Sequence, residues 1–95
     1  MLSNIPIDLG KVAKEDIDKE ILRAGIIAEY DAINLYEQMA SLTENKDVKR
    51  IMLDVAKEEK AHVGEFQTLL LMLDQQQVKE MEEGKGEVEE LIGKS

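Results

Sequence analysis

Apolar residues recur along this chain at spacings of three and four. Ile17, Ile21, Ala24, Ala28, Leu35 and Met39 form one series; Val48, Ile51, Met52, Val55, Val63, Phe66, Leu70 and Leu73 form a second. Such spacing returns side chains to one face of an α-helix, so it predicts two amphipathic helices, over 15–42 and 46–73. No segment alternates at the period of two that marks a half-buried strand. Glu15, Asp16 and Asp18 place negative charge at the positive end of the first helix dipole. The polar run Ser41 to Lys46 reads as a turn, with Asn45 as N-cap of the second helix. Each helix would be about 42 Å long, and equal lengths across a short turn predict an antiparallel hairpin. Beyond it, Asp74 followed by Gln77 reads as a capping box that opens a short third helix over 75–83. Gly84-Lys85-Gly86 is expected to break that helix and leave 84–95 as a tail or linker, with Glu87 to Ile92 adding a helical turn or two at most. The only proline, Pro6, precedes all of these elements.

Composition narrows the picture. Ninety-five residues make one small domain, which buries only about 60–65% of its unfolded surface. There is no cysteine, so disulfides, zinc–thiolate sites and thiol catalysis are excluded. Oxygen and nitrogen metal ligands remain available. The net charge of −9 argues against nucleic acid and against anionic membrane surfaces, and it favours cations. The longest apolar run, Leu69 to Leu73, is far short of the roughly 20 residues of a membrane span. Met1 to Gly10 has neither a basic head nor a long apolar stretch, so it does not read as a signal peptide, and a cytoplasmic location is expected. Two helices with wide apolar faces cannot cover those faces against each other alone. A second copy completing a four-helix core is therefore expected.

Two acids occupy apolar company. Glu29 has Leu22, Gly25, Ile26, Ala32, Ile33 and Tyr36 as helical neighbours, and Glu59 has Val55, Ala56, His62 and Val63. Glu59-Lys60-Ala61-His62 is a Glu-x-x-His pattern, which puts a carboxylate and an imidazole one turn apart on one face. Glu29 lies 15 residues before Glu44, at the centre of the turn, and Glu59 lies 15 after it. In an antiparallel hairpin the two glutamates then stand at one height, so Glu29, Glu59 and His62 converge. A divalent cation would offset the cost of burying them. Carboxylate-bridged di-metal bundles need one Glu from each of two helices and a Glu-x-x-His from each of two others. This chain carries half that set, and two copies related by a two-fold axis would supply the whole.

Tyr36 stands two turns past Glu29, either at the edge of the site or packed in an interface. Asp31, Glu37, Glu58 and Glu65 are expected on solvated faces, and Met39, Met52, Met72 and Met81 in packing roles. No phosphate-binding glycine loop precedes a helix, and Ser41, Thr43 and Thr68 have no partnering base.

The segments Ala28-Glu29, Ala32-Ile33-Asn34-Leu35-Tyr36-Glu37-Gln38 and Glu58-Glu59-Lys60-Ala61-His62 resemble the ferritin-like superfamily. More closely they resemble the encapsulated ferritins, the two-helix iron oxidases housed in encapsulin shells, and especially archaeal members fused ahead of the shell protein. The resemblance spans about Ile17 to Leu73 and accommodates the short third helix. It implies an all-α fold, in which an antiparallel two-helix hairpin with a short C-terminal helix dimerises into a ferritin-like four-helix bundle. It also implies ferroxidase activity at a di-iron centre shared between two chains, one iron per chain. The implied metal ligands are Glu29, Glu59 and His62, with Tyr36 as the site tyrosine. Five dimers would form an open ring, and the surrounding encapsulin shell, in the cytoplasm, would store the mineral. Family members carry acids beside the first-helix ligand that help iron enter, at the positions of Ala28 and Asp31, and a tryptophan at that of Leu35. Ala28 cannot bind metal, which leaves the route of iron into the site open.

Other readings use the same residues. A rubrerythrin-like di-iron peroxidase or oxidase would share the ligands, although such proteins usually carry all of them in one chain. A Zn²⁺ or Mn²⁺ site would share them without iron redox chemistry. A non-catalytic helical assembly module would leave Glu58, Glu59 and His62 in solvent.

Overall fold

The computed structural model describes residues 8–93. Pro6, most of the Met1–Gly10 segment and Ser95 lie outside the described residues. Three α-helices follow two 3-10 turns, Leu9–Lys11 and Lys14–Asp16. Helix α1 spans Ile17–Leu42, α2 spans Lys46–Leu73 and α3 spans Gln75–Ile92. Among the described residues there is no strand. No helix among them is long and apolar enough to cross a membrane. The first helix starts two residues later than its acidic run suggests, because Lys14–Asp16 takes the tighter 3-10 turn common at helix N-termini. Asp18 and Glu20 remain in its first turn, where they complement the dipole.

The link between α1 and α2 is three residues long and needs no glycine. Thr43 turns extended after α1, and its amide donates to the Met39 carbonyl at 3.2 Å. Its hydroxyl accepts from the Asn45 amide at 3.1 Å. Asn45 Oδ1 then accepts from the amides of Asp47 and Val48 at 2.9 and 3.0 Å, satisfying two of the donors exposed at the start of α2. These local bonds fold α2 back along α1.

The buried seam between α1 and α2 is narrow. It consists of Ile33 and Ala40 from α1 with Ala56, Val63 and Leu70 from α2. Each series repeats every seven residues, the spacing of a coiled-coil seam, and the two alanines let the helices approach. Much of the wider apolar pattern stays outside this seam: Ile21, Val48, Ile51 and Leu73 are exposed in the single chain. Periodicity marks every position that some neighbour can cover, whereas one partner helix covers only a stripe.

The third helix departs from the expectation of a break at Gly84-Lys85-Gly86. It runs unbroken through both glycines to Ile92. A helical glycine costs about 1 kcal/mol against alanine, which weakens a helix without ending it. The chain stops at Gly93 instead, where φ is 77°, a conformation that favours glycine. Residues 84–92 are therefore helix and not tail. At the joint, Asp74 alone is non-helical, ending α2 and capping α3. Its Oδ1 accepts from the Gln77 amide at 3.0 Å. No residue of α3 is buried.

Candidate metal centre

Glu29 projects from the middle of α1, and Glu59 and His62 project from one face of α2. The hairpin brings the three together, with a donor atom of each within 4.8 Å of the others. His62 Nδ1 lies 3.4 Å from Glu29 Oε2 and 3.4 Å from Glu59 Oε1. Metal–ligand bonds of about 2.0–2.2 Å put neighbouring donors roughly 3–3.5 Å apart, so these spacings suit a single ion between them. The glutamate side chains are 18% exposed and His62 is 45% exposed, which leaves one side of the group open.

Electrostatics mark the same spot. Glu29 Oε2 is buried without a hydrogen-bond partner, since the 3.4 Å approach of His62 is an ion-pair distance with poor hydrogen-bond geometry. The Glu59 carboxyl is pushed above its ordinary value, first by the Glu29 carboxyl with which it would share a proton, then by burial, then by the Glu29 charge. Burial pulls the His62 imidazole down, but the Glu29 carboxylate beside it and the charges of Glu59 and Glu65 outweigh that and hold it above its ordinary value. Two acids facing each other with one orphaned oxygen form a pocket short of positive charge. A divalent cation would satisfy all three groups. Carboxylate and imidazole together suit first-row ions such as Fe²⁺, Mn²⁺ and Zn²⁺, and three protein donors leave coordination positions free.

The other acids singled out in the sequence are not members of this donor group. Tyr36 is half-buried on α1. Ala28 is half-buried. Asp31, expected in solvent, is 7% exposed, on the far side of α1 from Glu29 and outside the donor group. A helical pattern fixes the direction of a side chain but not what covers it. Glu58 and Glu65 are exposed, and Glu37 pairs with Lys60 across the hairpin at 3.2 Å, both partners half in water. One contact beside the site carries no charge signal: the Phe66 ring of α2 lies directly on the backbone of Gly25. Its only trace in the sequence is a glycine inside an otherwise regular helical pattern.

The Rubrerythrin family model matches residues 20–92 of this chain. The chain is 62% identical over 80 residues to a ferritin-like–encapsulin shell fusion protein of Pyrococcus furiosus, across 84% of this chain and 23% of that protein. It is 43% identical over 56 residues to the encapsulin nanocompartment cargo protein EncC of Myxococcus xanthus, across 59% of this chain and 43% of that one. The chain thus spans less than half the length of either relative. The crystal structure of the encapsulated ferritin domain from Pyrococcus furiosus matches with a TM-score of 0.85 and 54% identity, over the whole of both chains.

Proposed function

This chain belongs to the ferritin-like family as an encapsulated-ferritin-like domain, and from that premise we propose that it is a ferroxidase, oxidising Fe²⁺ to Fe³⁺ with dioxygen. The observation that carries the proposal is the convergence of Glu29, Glu59 and His62 around an unpartnered buried oxygen. Two copies facing each other across a two-fold axis would bring four glutamates and two histidines around two iron ions, one per chain.

Iron is the substrate in this reading. Glu29 and His62 hold each Fe²⁺, and Glu59 of each chain bridges the pair. Two Fe²⁺ would give up two electrons to one dioxygen, which with two protons from water becomes hydrogen peroxide as both ions become Fe³⁺. The carboxylates favour the harder Fe³⁺ product, while the imidazole keeps affinity for Fe²⁺. The net charge of −9 concentrates ferrous ions near the protein. Tyr36 would line the edge of the completed site. Assembly as dimers, five of them in an open ring, and delivery of mineral into an encapsulin shell complete the proposal; both relatives carry encapsulin in their names.

The match to the Rubrerythrin model favours one second reading, in which the same centre turns over hydrogen peroxide. Stopped-flow oxidation of Fe²⁺ with dioxygen or with peroxide separates the two by oxidant. Glu29→Ala, Glu59→Ala and His62→Ala should each slow oxidation about 100-fold or more while helix content persists. Full activity in His62→Ala would overturn the site assignment.

A further inference from the structure

Gly25 lies in the interior of α1, where glycine is a poor residue. Its lack of a side chain is filled by a neighbour. A Cβ on Gly25 would stand 3.1 Å from both Cδ2 and Cε2 of Phe66, closer than ordinary carbon contacts of about 3.5–4.0 Å. A Cβ on Gly64, Gly84 or Gly86 would meet nothing within 4 Å.

The position of this contact gives it meaning. Gly25 lies four residues before Glu29 on α1, and Phe66 lies four residues after His62 on α2. In antiparallel helices those offsets point the same way, so the ring and the bare backbone meet one helical turn from Glu29 and His62, in the same register. The contact therefore acts as a spacer between α1 and α2 next to the donor group. We infer that Gly25 and Phe66 are positioning residues for the metal centre, setting the separation at which Glu29 of α1 meets His62 and Glu59 of α2. The inference rests on the metal reading proposed above.

Magnitudes make the spacer consequential. Relieving a 3.1 Å contact displaces the ring or the helices by a few tenths of an ångström. A metal site tolerates roughly 0.2 Å in its ligand distances, so a shift of that size exceeds what the donors absorb. Glu29 and His62 sit on opposite sides of the gap being widened. A surface helix position would show the opposite response, since alanine for glycine favours the helix.

The test is Co²⁺ binding to the 95-residue chain under anaerobic conditions, followed by visible absorption, with helix content and thermal midpoint measured alongside. Gly25→Ala should weaken Co²⁺ binding about tenfold or more while helix content is kept. Phe66→Leu should weaken it as well, by removing the spacer. Gly25→Ala combined with Phe66→Leu, which gives the new methyl group the space the ring vacates, should restore most of the affinity. Should either single variant lose helix, the double variant alone carries the test by folding and binding as the parent does. Parent-like Co²⁺ affinity in Gly25→Ala would overturn the inference, as would a double variant no better than the singles. A parent chain that binds no Co²⁺ would overturn the metal reading first and this inference with it.

Discussion

Arg23 on α1 and Asp74 at the α2–α3 joint, 51 residues apart in sequence, meet with Nη2 donating to Oδ2 at 3.0 Å. The other oxygen of the same carboxylate accepts from the Gln77 amide. One side chain thus caps α3 with one oxygen and ties its root to α1 with the other.

Acid should loosen this joint. The Asp74 carboxyl is held below its ordinary value of 3.8, first by the backbone amide of Gln77, with Lys19 and Arg23 adding to the effect. Its contribution to stability is complete above that ordinary value and is lost as pH falls through the lower folded value. Amide protection in the first turn of α3, taken relative to the intrinsic exchange rate at each pH, should therefore fall below about pH 4, before the hairpin melts. In Asp74→Ala that protection should be low at all pH values and lack this acid step.

Glu29→Gln should stabilise the metal-free protein and impair it as a metal binder. The amide removes one of two facing carboxylates and supplies a donor where Oε2 now has no partner. A gain of about 1 kcal/mol is expected, from the usual cost of an unsatisfied buried polar group. For a domain of this size that raises the melting midpoint by about 4–8 °C in the presence of chelator. An unchanged midpoint would mean that water already satisfies the carboxylate.

Gly84→Ala and Gly86→Ala should each stabilise α3 by about 1 kcal/mol. Neither new methyl group would meet an atom within 4 Å. Circular dichroism at rising temperature should show added helix surviving longer. A loss of helix would contradict the continuous α3.

Asn45→Ala should cost about 1 kcal/mol of hairpin stability in urea unfolding, since two amides of α2 lose their acceptor. Asn45→Asp, which keeps the acceptor, should retain most of it.

The sequence carries the hairpin and the donor group because both follow from short-range rules. Apolar spacing makes Ile17–Leu42 and Lys46–Leu73 helical, the side chain of Asn45 ends the turn, and equal distances from Glu44 put Glu29 level with Glu59. What lies beyond those rules is harder to read. The glycines at 84 and 86 are weak helix residues, and only their flanking residues carry α3 past them. Asp31 looks like a surface acid and is buried. Arg23 and Asp74 pair across 51 residues, and no local pattern predicts such a meeting. The seam at Ile33, Ala40, Ala56, Val63 and Leu70 is a subset of the apolar positions, chosen by where the second helix lies.

The three-residue link also bears on the expected course of folding. Pairing is expected to spread outward from the turn, so that contacts nearer Asn45 form first. Glu29 meets His62 across a separation of 33 residues, Gly25 meets Phe66 across 41, and Arg23 meets Asp74 across 51. Chain closure distinguishes the first from the last by only about 0.4 kcal/mol. With contacts this local, folding is expected to be fast, on the microsecond to millisecond scale of helical proteins. Glu29, Glu59 and His62, at mid-hairpin, are then expected to come together before the far ends of both helices pair.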